Sequence, residues 1–283
     1  MVNGLIVGYV SELGIRNSGT DFDFWLKRLV TSSVNNSLDY LIISGGISNN
    51  YHITLSFIEE LGRQLKGVGT KLRFIVGNTD FYYPLDEYVV DKVRKFKSIL
   101  NLYRNNPYYL PRSPIISRRV RIVGSESWYD YSLYRGKPRD LKDITKKRYF
   151  IFSNKDNKYI TDPMDYTLGF ENLFDIKYSK ECIDMLRQKL ESDIQKHGVC
   201  DRSVVITYFK GSKTLLGNSP ISKYMGAFEG SLDIGRVIKS YRVDTCIVGK
   251  KSSRVSATVD GVLYFNPALR IDSDNAVEVV IYE

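Results

Sequence analysis

Phe74-Ile75-Val76-Gly77-Asn78-Thr79-Asp80 joins a short apolar run to a polar turn, and similar joins occur at four other places. The five apolar runs are Gly4–Val10, Tyr40–Ser44, Lys71–Val76, Ser203–Thr207 and Thr245–Val248. Each run is short and rich in branched aliphatic residues, as expected of a strand that is buried on both faces. Glycine, polar residues or a tyrosine follow each run, so the sequence predicts five buried strands that lead into loops.

Amphipathic segments lie between the first three runs. Apolar residues recur at three- and four-residue spacing from Thr20 to about Ser33 and over Tyr51–Leu65, which predicts two helices with one buried face each. The order strand, helix, strand is typical of right-handed parallel crossover units. The loops after the strands then lie at one edge of the sheet, where open α/β sheets place their sites.

The rest of the chain adds helices and antiparallel strands. The composition of Val259-Asp260-Gly261-Val262 predicts a hairpin turn. Further strands are predicted at Arg118–Gly124, Val255–Val259, Gly261–Phe265 and Val277–Tyr282. Helices are predicted over Asp86–Leu102 and Lys180–Lys196, the second with a buried side made of Cys182, Ile183, Met185, Leu186, Leu190 and Ile194. We expect a single domain over residues 1–283, with a basic excursion around residues 135–148.

The formal net charge of +9 and the isoelectric point near 9.2 favour a polyanionic partner without indicating a fold. Three cysteines, Cys182, Cys200 and Cys246, form no C-x-x-C pair, so we predict neither a disulfide framework nor a thiolate metal site. No apolar run approaches the roughly 20 residues of a membrane helix, and the start lacks the features of an export signal. We therefore expect a cytoplasmic protein.

Three segments carry a resemblance to a known family. They are Asp39-Tyr40-Leu41-Ile42-Ile43-Ser44-Gly45, then Phe74-Ile75-Val76-Gly77-Asn78-Thr79-Asp80, then Val248-Gly249 with the later Gly261-Val262-Leu263-Tyr264-Phe265-Asn266-Pro267. In this order they resemble the calcineurin-like metallophosphoesterase superfamily, whose pattern is D-x-H, G-D, G-N-H-D/E, a lone H and G-H-x-H. The resemblance spans nearly the whole chain and implies a four-layer α/β/β/α sandwich of two mixed sheets flanked by helices. Ser127-Trp128-Tyr129-Asp130-Tyr131-Ser132 also resembles a bacterial branch of phosphoesterases associated with accessory secretion loci.

The resemblance implies a site for two divalent ions such as Mn, Fe or Zn, which polarise a phosphoryl group and activate water. The family's positions hold Glu12 and Gly14 for D-x-H, Gly46 for the bridging aspartate, Asn78 and Thr79 for G-N-H, Tyr208 for the lone histidine, and Lys250 and Ser252 for G-H-x-H. Only Asn78 is retained, and Glu12 is one methylene longer than aspartate. The resemblance therefore implies a degenerate member of the family, with vestigial positions, no catalytic residue and no metal cofactor.

Lys250 brings positive charge to a position where the family holds a cation, and an ammonium has no lone pair to bind a metal. We consider two interpretations, a pair between Lys250 and Glu12 or extension of both Lys250 and Lys251 into solvent. Lys250, Lys251 and Arg254 form a possible anion-binding group. The two histidines, His52 and His197, lie outside every motif and are expected at the surface near helix ends.

Three functions remain open. The first is a catalytically inactive binding or regulatory module, whose partner is most plausibly another protein, with nucleic acid or a phosphorylated ligand as alternatives. The second is a hydrolase with a rebuilt site, either a Lys250–Ser252 dyad or a single ion held by Glu12, Asn78 and Asp80. The third is a basic protein that binds nucleic acid or phosphate. Its charge would come from Arg118, Arg119, Arg121 and Arg135–Arg148, and its aromatic rings from Tyr129, Tyr131 and Tyr134. The first function is our main prediction.

Overall fold

Two mixed β-sheets form the centre of the computed structural model, which describes residues 4–83, 92–117, 119–136, 174–218, 226–251, 256–269 and 276–283. The first sheet has the strand order β10-β1-β2-β3. Its strands are β1 (Leu5–Val10), β2 (Tyr40–Ser44), β3 (Lys71–Ile75) and β10 (Glu278–Tyr282). β1, β2 and β3 are parallel, and β10 runs antiparallel to β1.

The second sheet has the strand order β4-β5-β6-β7-β9-β8. Its strands are β4 (Ile115–Ile116), β5 (Val120–Ser125), β6 (Arg202–Thr207), β7 (Thr245–Val248), β8 (Ser256–Val259) and β9 (Val262–Phe265). The central strands β5, β6, β7 and β9 are parallel, whereas β4 and β8 pair antiparallel at the two edges. Asp260 and Gly261 form the predicted hairpin turn between β8 and β9, with positive φ angles of 52° and 83°.

Helices flank the two sheets. They are α1 (Thr20–Asn35), α2 (Tyr51–Gly67), α3 (Lys92–Asn105), α4 (Phe174–His197) and α5 (Leu232–Ser240). One core cluster joins buried residues of α1 and α2 to both sheets, for example Leu29, Phe57, Ile43 and Ile206. A second cluster packs α4 and α5 on the second sheet through Leu190, Val237 and Val205. The predicted four-layer α/β/β/α fold of two mixed sheets is confirmed.

Some predicted elements need correction. α4 begins at Phe174, earlier than predicted, and Met185 is 38% exposed although its spacing placed it on the buried side. The sequence did not predict α5, whose nine residues include Gly235, a poor helix former. The predicted start of the helix over Asp86–Leu102 and most of the basic stretch Arg135–Arg148 fall in residues 84–91 and 137–173, outside the described residues.

All three cysteines are free thiols, Cys182 and Cys246 being buried. Burial raises the pKa of the Cys246 thiol to about 12, although a hydrogen bond with Thr207 opposes the shift. In the part of the chain that the structure describes, no helix is both long enough and apolar enough to cross a membrane.

Candidate functional site

The loops that follow the five predicted strands meet at one edge of the two sheets. The loop after β1 binds the loop after β2, since Glu12 N donates to Gly45 O at 3.0 Å and Gly14 N donates to Gly46 O at 3.1 Å. In the second sheet, Lys250 N donates to Tyr208 O at 2.8 Å. The backbone therefore brings the sequence-predicted positions into contact within each sheet, and two side-chain contacts join the sheets.

The first of these contacts joins Tyr208 to Glu12, residues that are 196 positions apart in sequence. The Tyr208 hydroxyl donates to Glu12 Oε1 at 2.6 Å. Burial raises the pKa of Tyr208 well above its ordinary value, and the Glu12 carboxylate raises it further. The phenol therefore stays protonated at neutral pH and can serve as the donor.

The Tyr208 ring fills the space between the loops after β2 and β3. A Cβ atom added at Gly45 would lie 2.5 Å from the ring, and one added at Gly77 would lie 2.4 Å from it. Gly46 has a φ of 72°, and a Cβ there would lie 3.0 Å from the Glu12 side chain. The side chains of Tyr208 and Glu12 thus occupy the space beside Gly45, Gly46 and Gly77.

Lys250 makes the second contact between the sheets. Its ammonium lies 3.4 Å from Asn78 Oδ1 and 4.8 Å from the centre of the Phe209 ring, which is a cation–π distance. Within the described residues, the predicted pair of Lys250 with Glu12 is not formed, because Glu12 accepts its hydrogen bond from Tyr208. The alternative, in which Lys250 and Lys251 both extend into solvent, agrees with the exposed Lys251 but not with Lys250, whose ammonium lies beside Asn78.

Asp80 organises the loops from beneath the site, and its side chain is fully buried. Its two carboxylate oxygens accept hydrogen bonds from the Thr54 hydroxyl and from four backbone N–H groups, those of Gly46, Ile47, Ser48 and Gly77. Burial raises the pKa of Asp80 to about 6, although these hydrogen bonds oppose the shift. The interpretation of Asp80 as a residue that shapes its loop is confirmed.

Sequence reasoning missed two residues that hold the Lys250 loop. Asn266 Nδ2 donates to Val248 O at 2.7 Å and to Lys250 O at 2.8 Å. Lys210, of which only 1% of the side chain is exposed, binds the Glu229 carboxylate and donates to Lys251 O at 3.0 Å. Lys210 gave a possible signal, because it directly follows the apolar run and Tyr208-Phe209, and a buried lysine needs a partner.

Thr79 begins a short 3₁₀ turn over Thr79–Phe81. Gly14 has a φ of 61°, and a Cβ there would meet no atom within 4 Å. Ser252 and Arg254 lie outside the described residues, whereas Lys251 is described and exposed. Both histidines are exposed, His52 in the first turn of α2 and His197 at the end of α4.

The side chains at this edge do not fit a dinuclear metal centre. Such a centre needs several oxygen or nitrogen lone pairs directed at each cation. Glu12 is the one carboxylate among the described residues that the sequence analysis placed at ligand positions, and Tyr208 donates to it. Both oxygens of Asp80 already accept hydrogen bonds, and the Asn78 oxygen lies beside the Lys250 ammonium. Among the described residues, no three His, Cys, Asp or Glu side chains gather in a metal-binding arrangement.

The combination of basic and aromatic residues predicted for nucleic-acid binding is partly buried. Arg121 is 3% exposed and Tyr129 is 0% exposed, so neither can contact a strand of nucleic acid. The W-Y-D-Y segment contributes to internal contacts, because Trp128 Nε1 donates to Asp175 Oδ1 at 2.9 Å and Ser231 Oγ donates to Asp130 Oδ2 at 2.7 Å. The prediction that Arg121 and Tyr129 lie on an exposed nucleic-acid-binding surface is therefore wrong.

No protein-family model matches the chain, and no curated protein matches its sequence. Among solved structures, phosphopantetheinyl hydrolase from Mycobacterium tuberculosis matches with a TM-score of 0.67 and 14% identity, over 99% of this chain and 97% of that chain. A dimetal phosphatase from Danio rerio matches with a TM-score of 0.51 and 14% identity, over 94% of this chain and 88% of that chain. The chain therefore has a metallophosphoesterase-like fold.

We predict that Tyr208→Phe lowers the free energy of unfolding by about 1.5–3 kcal/mol, the usual contribution of a hydrogen bond to a charged group. Urea unfolding followed by tryptophan fluorescence measures the loss. Tyr9→Phe is the matched control, because the Tyr9 hydroxyl hydrogen bonds a neutral group, Tyr282, at 2.7 Å. The control should lose about 0.5–1.5 kcal/mol. A Tyr208→Phe loss no larger than that of the control would contradict a charge-assisted bond to Glu12.

Proposed function

We propose that this protein is a non-catalytic binding or regulatory module built on the metallophosphoesterase fold, and thus a degenerate member of that superfamily. The observation that carries the proposal is the Tyr208 ring, which fills the space between the loops while its hydroxyl binds Glu12. The protonated Tyr208 hydroxyl directs its hydrogen at Glu12, whereas a metal ligand must direct a lone pair at the ion. Lys250 adds a positive charge beside Asn78, the one retained ligand type.

The loops that follow the strands can still serve as a rigid surface for binding a partner. Hydrogen bonds accepted by Asp80 and donated by Asn266 and Lys210 hold the loops in place. We propose that the partner is another protein and that it contacts this edge, where Lys251 is exposed. A phosphorylated ligand held by Lys250, Lys251 and Arg254 is the alternative occupant of the same edge. We also propose a cytoplasmic location, which suits three free thiols.

The burial of Tyr129 and Arg121 argues against these two residues as part of the predicted nucleic-acid surface, and the net charge of +9 is the remaining observation that favours a polyanionic partner. A Lys250–Ser252 dyad would need the lysine amine at the serine hydroxyl, whereas the Lys250 side-chain nitrogen lies 3.4 Å from Asn78 Oδ1 and 4.8 Å from the centre of the Phe209 ring. The single-ion alternative needs Glu12, Asn78 and Asp80 together, whereas both Asp80 oxygens accept hydrogen bonds and the Asn78 oxygen lies beside Lys250.

We expect purified protein to carry far less than one equivalent of Mn, Fe or Zn, and to show no manganese-dependent hydrolysis of a phosphodiester. Elemental analysis and a turnover assay measure the two quantities, with a known two-metal phosphatase as the positive control. The physical reason is the small number of available lone pairs at the loop edge. Glu12→Gln is the matched variant, since it removes the one carboxylate among the described vestigial positions.

Stoichiometric metal that is lost in Glu12→Gln, together with manganese-dependent turnover, would overturn the proposal in favour of a rebuilt metal site. Metal-independent turnover that disappears in Lys250→Ala would instead support the dyad.

A further inference from the structure

A second concave site lies away from the loop edge, between α3, the end of β5 and α4. Its volume is about 550 Å³, within the range typical of pockets for small molecules. The turn after α3 contributes Tyr109 and Arg112, the end of β5 contributes Glu126, and α4 contributes Met185 and Lys189. None of these residues belongs to the vestigial metal site.

The floor and one wall of this cavity are apolar. Tyr109 is 1% exposed and Leu186 is 2% exposed, and both are held in the core. Met185 is 38% exposed on the cavity side of α4, and its sulfur lies 3.6 Å from Arg104 Nη2. A methionine side chain adapts to irregular apolar ligands because it is unbranched and polarizable. The cavity thus offers an apolar surface that can bury a small hydrophobic group.

The charge of the lining is positive, with Arg104, Arg112 and Lys189 against Glu126. Arg104 Nε lies 3.1 Å from Glu126 Oε1, and Tyr109 also donates to that oxygen, so the carboxylate is compensated within the wall. Lys189 lies 3.2 Å from Asp193 Oδ1. Arg112 contacts the backbone oxygen of Arg104 at 3.5 Å and forms no ion pair with any described residue. Its guanidinium is therefore the group best placed to bind an incoming anion.

We propose that this cavity binds a small organic anion, with its acidic head group at Arg112 and its hydrophobic body against Met185 and Leu186. The apolar area selects a ligand with a hydrophobic body, and the excess of cations selects a negative head group. This site is independent of the proposed function, because it shares no residue with the loop edge.

The test uses two fluorescent probes with similar hydrophobic bodies. 1-Anilinonaphthalene-8-sulfonate is an anion, and N-phenyl-1-naphthylamine is neutral. We expect the wild-type protein to bind the anionic probe more tightly than the neutral probe. Arg112→Ala should weaken binding of the anionic probe by about three- to fivefold, which is the effect of losing one partly exposed charge pair. The affinity for the neutral probe should change little. Arg187→Ala is the matched control, because Arg187 lies on α4, which carries Met185 and Leu186, but it pairs with Asp184 and does not line the cavity.

Met185→Trp should fill the cavity and reduce the binding of both probes by at least about tenfold, because the indole replaces the ligand's hydrophobic body. Gln188→Trp is a second blocking variant at an exposed lining position, and circular dichroism checks that each variant is folded. The proposal is overturned by failure of the wild type to bind the anion, by unchanged binding in a folded blocking variant, or by equal effects of Arg112→Ala on the two probes.

Discussion

Asp80→Ala is expected to lower the free energy of unfolding by about 3–5 kcal/mol, because it removes the acceptor of a buried hydrogen-bond network. The carboxylate accepts five hydrogen bonds from two loops and from α2, through Gly46, Ile47, Ser48, Gly77 and Thr54. Four of the donors are backbone N–H groups, and each loses its bond to the carboxylate when the side chain is removed. Equilibrium unfolding in urea measures the loss.

Asp80→Asn separates the hydrogen bonds from the charge. An amide has one acceptor oxygen, so the two donors that face the other carboxylate oxygen, Gly46 N and Gly77 N, would meet an NH₂ group. We expect a loss smaller than that of Asp80→Ala. Asp184→Asn is the matched control, because 44% of the Asp184 side chain is exposed and its ion-pair partner among the described residues is Arg187. The loss in free energy of unfolding for Asp184→Asn should stay within about 0.5 kcal/mol. Equal effects of Asp80→Ala and the control would refute a structural role for Asp80.

The charge of Asp80 adds a pH dependence. Burial raises its pKa in the folded state to about 6, above the ordinary value of 3.8. The folded state therefore holds the proton more tightly than the unfolded state, so the stability from protonation is complete below about pH 4 and is lost as the pH rises through about 6. The difference in unfolding free energy between wild type and Asp80→Asn should be about 1 kcal/mol larger at pH 5 than at pH 8. A difference that instead grows with pH would show that the hydrogen bonds outweigh burial.

Glu229→Ala is expected to cost about 3–5 kcal/mol, because it leaves a buried ammonium without its counter-charge. Only 1% of the Lys210 side chain is exposed, and after the change its ammonium would keep the single contact with Lys251 O. Lys210→Met is the matched comparison. Of the Glu229 side chain, 22% is exposed, so water can reach the carboxylate that this second variant leaves behind.

We therefore expect Lys210→Met to cost much less than Glu229→Ala, about 1 kcal/mol, as replacement of a buried charge by an apolar side chain usually does. Urea unfolding of both single variants and of the double variant gives the coupling energy between the two positions. Equal losses of unfolding free energy in the two single variants would contradict the expected difference between them. Losses that add up in the double variant would contradict an interaction between Lys210 and Glu229.

Four strands could be predicted from the sequence of their own residues. The apolar runs that become β1, β2, β6 and β7 are long enough and rich enough in branched residues to specify strands without help from the rest of the chain. α5 gave too weak a signal, because nine residues with an internal glycine form a helix only when Ile234, Val237 and Ile238 are buried against the second sheet. Met185 follows the helical period of α4, but the cavity beside it leaves that position uncovered.

The sequence by itself determined which residues follow the strands of the candidate site, because residue identity at the ends of local elements is read directly from the chain. Only the tertiary structure decided what occupies that edge. Glu12 could have paired with Lys250, but the loop geometry places its oxygen at the Tyr208 hydroxyl and places the Lys250 ammonium beside Asn78. The pairing of side chains that are far apart in sequence depends on positions accurate to about an ångström, because a hydrogen bond weakens steeply outside its narrow range of distance and angle. Spacing along the chain does not carry that information.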